Sequence, residues 1–211
     1  GHNWLAGFLK RHPGLEFKKA MNRSVVPCIP KQKAMCKRFF DITSQIYKKH
    51  RLNYKPERIY CMAEMRVTTF IDATILVCAS AEGEMLPPFV VFKGPRQKMS
   101  AVKQAFPEAY FTSNQDGVIN DLLLLWWMRD HFLKKIPSHN HRPCVLFLSR
   151  AVHEMTFQFC QLAREERIHV ISMPVGVAHI INPLDEELAS LLENSIEKKA
   201  RKFESDNPGL L

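Results

Sequence analysis

The side chains at the start of this 211-residue chain that are best suited to chemistry are cations: Lys10, Arg11, Lys18, Lys19 and Arg23 lie close together, with Glu16 the one acid among them. Lysine and arginine in such a group suit phosphate oxygens, which they hold without reading a base sequence. The bias extends further, since residues 1–60 hold 14 Lys/Arg against 3 Asp/Glu, whereas residues 61–211 hold 16 against 18. A field gathered in one segment implies a polyanionic partner. Nucleic acid is expected before a membrane, because no single long amphipathic basic helix stands out in the segment. Thiols and imidazoles offer less. Cysteines 28, 36, 61, 78, 144 and 160 occur singly with no C-x-x-C, and His139 and His141 only flank Asn140 in a loop-like stretch, so no zinc site is expected. Cys61, Cys78 and Cys144 sit in or beside apolar runs, where cysteine acts as a small buried hydrophobe and a reducing compartment is expected.

Elements long enough to position these groups are available. Hydrophobic content of 46% and charged content of 24% are ordinary globular values and exclude disorder, collagen and coiled coil. The longest purely apolar run, Leu122 to Met128, is far shorter than the roughly 20 residues of a membrane helix, and the opening GHNWLAG carries no basic-then-apolar leader. Residues 3–12 space Trp4, Leu5, Phe8 and Leu9 on one helical face, stopped by Pro13-Gly14. Leu15 to Pro30 reads as an extended basic arm, and Lys31 to His50 as a second helix.

Strand patterns follow at Arg58–Thr69, Thr74–Ser80 and Pro88–Lys93, the last two joined through Ala81-Glu82-Gly83-Glu84. Residues 94–120 read as loop with a short helix. An apolar helix, Asp121–Ile136, opens on Asn120 as its cap. Pro143–Ser149 and His169–Pro174 are strands, and Glu154–Arg167 and Pro183–Phe203 helices. Three meander strands followed by alternating units predict a mixed α/β, RNase H-like sheet flanked by helices. The expected domains are 1–14, 15–55 (basic linker and helix) and 56–211 (the sheet domain).

Five segments resemble the transposase domain of the pogo/Tigger/jerky group, to which centromere protein B also belongs. Trp4–Leu15 (WLAGFLKRHPGL) is similar to the last helix of that group's helix-turn-helix DNA-binding module. Pro56–Val67 (PERIYCMAEMRV) is similar to its first strand, and Ile75–Gly94 (ILVCASAEGEMLPPFVVFKG) to its hairpin. Arg142–Glu154 (RPCVLFLSRAVHE) and Met173–Leu188 (MPVGVAHIINPLDEEL) stand where the group carries its second and third catalytic aspartates.

The resemblance implies two-metal phosphoryl transfer, in which three carboxylates hold two Mg²⁺ ions because Mg²⁺ demands hard anionic oxygens. Here the first two acid positions are Ala63 and Ser149, and only the third, Asp185, is retained. No neighbour restores the set. Glu64 points to the other face of its strand, Asp72 lies past the strand end, and Glu154 falls in or near the next helix. Glu186 and Glu187 are turned about 100° and 200° around the last helix. Arg150 adds a positive charge where cations would bind.

Bland roles compete for several of these residues. Asp185 suits a helix start, His179 a packing position, Trp126-Trp127 and Phe39-Phe40 a core, and Lys198-Lys199-Ala200-Arg201-Lys202 a helix C-terminus. The expectation is a transposase-derived nuclear protein without catalysis, with no cofactor and its ancestral Mg²⁺ site lost. DNA is its expected partner through Lys10, Arg11, Lys18, Lys19 and Arg23, with chromatin proteins or a second copy as further partners and no membrane. Two alternatives stay open: a protein-interaction platform with little DNA affinity, and an active nuclease using unorthodox ligands.

Overall fold

The computed structural model describes residues 2–11, 30–68, 72–94, 108–136, 142–149, 155–174, 176–184 and 186–206. Two compact units divide the chain, Gly1–Pro30 and Lys31–Leu211. In the first, helix α1 (His2–Arg11) stacks Trp4 on Phe8 one turn apart and ends on Lys10 and Arg11, whose charges suit the carbonyl end of a helix.

The second unit is built on one six-stranded sheet: β1 (Ile59–Val67), β2 (Ala73–Ser80), β3 (Phe89–Lys93), β4 (Tyr110–Asn114), β5 (Cys144–Leu148) and β6 (Ile168–Ser172). The spatial order is β4-β3-β2-β1-β5-β6. β1, β2 and β3 pair antiparallel, while β5 runs parallel to β1, β6 to β5 and β4 to β3. The expected mixed sheet is therefore present. A sixth strand, β4, lies within the stretch read from sequence as loop with a short helix. Its residues, YFTSN, offer only Tyr110 and Phe111 as apolar anchors, too short a pattern to register as a strand on its own. Pairing with the edge of β3 supplies the ladder that the local sequence does not advertise.

Alternation along β1 separates two cores. Tyr60 and Met62 face one layer, Cys61, Ala63, Met65 and Val67 the other. The first layer is covered by helix α3, which runs Asp121–Trp126, continues through a π-helical stretch Trp127–Phe132 and finishes at Leu133–Lys135, and by α4 (Phe157–Glu165). Asn120 caps α3 by accepting the Leu123 N–H at 3.0 Å, as its position predicts. Trp127 is buried there and Trp126 packs against the same cluster.

Helix α2 (Pro30–His50), the short α5 (Ala178–Ile181) and the long α6 (Glu186–Asp206) accompany the second layer. Phe39 of α2 is buried against Phe147 of β5, whereas Phe40, expected in the core, is 56% exposed. One residue is 100° of helix, which carries Phe40 off the buried stripe. The compact unit thus takes in α2, which the sequence groups with the basic linker. It also contains the amphipathic basic helix not anticipated for this segment, with its apolar stripe taken up by the sheet.

The loop between β4 and α3 is held by short contacts. Thr74 donates its hydroxyl to the Gly117 carbonyl at 2.6 Å, and the Gly117 N–H donates to the Asn114 side chain at 2.6 Å. Gly117 has φ +65°, and a Cβ there would stand 2.8 Å from the Lys93 Cβ, so glycine is required on both counts.

Candidate functional site

Two of the three acid positions meet on one face of the sheet. Ala63 is the central residue of β1, 0% exposed, paired with Val77 of β2. Register between β1 and β5 sets Met62 level with Leu148, so one step onward Ser149 falls level with Ala63 on the adjacent strand, about 5 Å away across the sheet. Side chains at these two positions would project from the same face and could share a cation if both were carboxylates.

The third segment is brought over the same strand by Asn182. This residue is 5% exposed and reaches across more than a hundred positions of sequence. Its Nδ2 donates to the Met62 carbonyl at 3.3 Å, and its Oδ1 accepts the Cys61 thiol and the Leu184 N–H, each at 3.0 Å. Leu184 is buried in the second core, two positions before α6 begins at Glu186. Asp185 lies outside the described residues. Of the three positions, the described residues bring two together, Ala63 and Ser149 on neighbouring strands.

The chemistry at the first two does not match that geometry. Ala63 has no donor atom, and Ser149 offers a neutral, half-buried hydroxyl. Around Ala63 the same face carries Cys61, Met65, Val145 and Phe147, a setting that disfavours charge. Glu64 stands on the opposite face, by alternation from Ala63, and cannot turn inward without breaking the register with Leu76. Among the described residues, no three His, Cys, Asp or Glu side chains group to hold a metal ion. The donors at these positions do not fit a pair of Mg²⁺ ions, which need bridging carboxylate oxygens.

Two buried thiols and a buried imidazole are held in their neutral forms. Burial pushes the Cys144 thiol up to about 12 and raises that of Cys78 well above its ordinary value, so neither is a thiolate nucleophile. His131 is buried and shares a 2.7 Å hydrogen bond with the Pro87 carbonyl; burial outweighs that bond and lowers its pKa. It ties α3 to the β2–β3 hairpin as a neutral imidazole.

Of the predicted phosphate contacts, Lys10 and Arg11 are exposed in the last turn of α1. Lys18, Lys19 and Arg23 lie outside the described residues, as does Arg150, and so do the side chain of His179 and the residue Glu154. Asn182 was not anticipated from sequence. Its only local signal is a polar residue between Ile181 and Pro183-Leu184, and its partners are far away in the chain.

A mixed sheet in this order, with helices on both faces, defines an RNase H-like domain. A family model described as DDE superfamily endonuclease matches residues 71–206, and the chain belongs to that family. The fold is similar to a chain in the crystal structure of a pre-cleavage Mos1 transpososome, at 9% identity and a TM-score of 0.52. That match covers 95% of this chain and 62% of the Mos1 chain, so this chain spans less than two thirds of its relative's length. A structure of the Mos1 transposase catalytic domain and Raltegravir with Mn is also similar, at 9% identity and a TM-score of 0.45, covering 82% of this chain and 81% of that one. No curated protein sequence matches. The chain is a DDE superfamily endonuclease-like domain.

Proposed function

We propose that this chain is the DDE domain of a nuclear, DNA-binding protein of transposase descent that has lost DNA cleavage and acts on chromatin by binding alone. The observation that carries this reading is local. The sheet register sets Ala63 and Ser149 side by side, where the resembling family carries two of its acids, yet neither brings a carboxylate. Binding is assigned to the basic N-terminal segment, with Lys10, Arg11, Lys18, Lys19 and Arg23 as phosphate contacts.

Fluorescence anisotropy with a duplex of mixed sequence, read across a salt series, tests this. Five phosphate contacts give a logarithmic salt slope of about −4.5. A flat salt response, or no binding at 50 mM salt, would refute it. A second reading, a protein-interaction or dimerisation platform, is favoured by the near balance of charge in residues 61–211 and by exposed Leu191 and Phe203 on α6. Self-association that persists at high salt without DNA affinity is its signature.

A further inference from the structure

The second unit carries a charged surface of its own. Between residues 31 and 55 there are eight cations, Lys31, Lys33, Lys37, Arg38, Lys48, Lys49, Arg51 and Lys55, against a single acid, Asp41. All eight are exposed, and none makes an ion pair among the described residues. At 100° per residue the six on α2 fall within an arc of about 160° and spread over about 27 Å of helix axis. The opposite side of α2 is engaged. Phe39 packs on Phe147, Ile46 joins the same core, the Gln32 amide lies 3.1 Å from where a Gly176 Cβ would sit, and His50 meets His169 with ring centroids 4.5 Å apart.

Those contacts fix the helix on the sheet. It crosses from the turn after β6, at the end of the sheet where β5 finishes at Leu148, to the beginning of β6 at His169. A rigid row of unpaired cations facing solvent is matched by a duplex, which presents one negative charge per about 1.7 Å of axis. It is poorly matched to a lipid surface, because the apolar stripe that would enter the bilayer is already occupied by the sheet. Asp41 sits within the arc as its one opposing charge.

We infer that the outer face of α2 is a duplex-DNA phosphate-binding surface belonging to the DDE unit itself, separate from the N-terminal arm. This rests on the DNA-binding reading above and adds a location and a mode: affinity through phosphates, without base discrimination.

The test uses the whole chain with Lys33→Gln/Lys37→Gln/Lys48→Gln, and a control that removes equal charge elsewhere, Lys198→Gln/Lys199→Gln/Lys202→Gln on α6. All six positions are exposed on helices, and thermal melts verify that both variants stay folded. Anisotropy with a 30-bp duplex is read between 50 and 200 mM salt. If all three α2 lysines touch phosphate, the slope becomes shallower by about 2.7, so the affinity ratio across that range shrinks about 40-fold. The control keeps the unmodified slope.

Binding by the unmodified chain with no change of slope in the α2 variant overturns the inference and leaves the DNA-binding reading standing. Equal losses in both variants overturn it too, by showing diffuse attraction to net charge. Failure of the unmodified chain to bind at 50 mM salt overturns both, and capture by phosphatidylserine vesicles in that case would name a membrane surface as the partner.

Discussion

Ala63→Asp returns the first acid to its position and measures what that position now tolerates. The side chain enters a site that is 0% exposed, flanked on its face by Cys61, Met65 and Phe147, with Val77 across the ladder. Burial without a partner raises a carboxyl pKa by about 3 units or more. At 1.36 kcal/mol per unit, the ionised form is penalised by about 4 kcal/mol, a large part of the 5–15 kcal/mol typical of a domain.

The sign follows from linkage. A carboxyl whose folded pKa lies above its unfolded value destabilises progressively as pH rises from the unfolded pKa to the folded one, and the penalty is constant above that. Ala63→Asn has nearly the same volume and no charge, so the difference between the two variants isolates ionisation from crowding. In urea unfolding followed by tryptophan fluorescence, the Asp variant is expected to be less stable than the Asn variant by about 1 kcal/mol at pH 4.5 and about 4 kcal/mol at pH 7.5. Millimolar Mn²⁺ should not narrow that gap. Equal stability of the two variants at pH 7.5, or a Mn²⁺-dependent recovery of the Asp variant, would show that water or a cation is accommodated beside residue 63, and the reasoning from an apolar site would fail.

Two further outcomes follow from the same geometry. Asn182→Ala strands the Met62 carbonyl, the Leu184 N–H and the Cys61 thiol, and should cost about 1–3 kcal/mol in urea unfolding; an unchanged midpoint would remove Asn182 as the clamp. His131, His50 and His169 all have pKa values lowered first by burial. Their contribution is complete above the unfolded value near 6.5 and is lost as pH falls from there toward the folded values. Stability should therefore decline below pH 6.5, and His131→Gln should make that decline shallower by up to about 1.4 kcal/mol per pH unit. The same slope in the variant would show that His131 is not one of the titrating groups.

Much of the fold was legible because the elements carry strong periods. β2 and β5 are near-continuous apolar runs, α3 has both a cap and an apolar face, and α2 sets buried Phe39 and half-buried Met35 and Ile46 about two turns or less apart on one side. β4 was not, because YFTSN draws its stability from the β3 edge rather than from its own pattern. Phe40 differed from its neighbour Phe39 for a reason of phase, since 100° of turn carries it off the narrow buried stripe of α2. Of the site, the identities at Ala63, Ser149 and Asp185 were legible as positions in the resembling motifs. The adjacency of Ala63 and Ser149 was not. It depends on the β1–β5 register, and the Asn182 hydrogen bonds to β1 likewise join distant residues and leave no local trace. The cationic face of α2 was visible only as net charge until the buried stripe fixed which side of the helix meets solvent.

The central claim, that the fold keeps two acid positions side by side while neither Ala63 nor Ser149 carries a carboxylate, is tested most directly by nicking of supercoiled plasmid with the whole chain in excess, in Mg²⁺ and in Mn²⁺. The account predicts that the plasmid stays supercoiled in both. Metal-dependent nicking that disappears in Asp185→Ala would contradict it, by showing that one carboxylate and its neighbours still assemble a working centre.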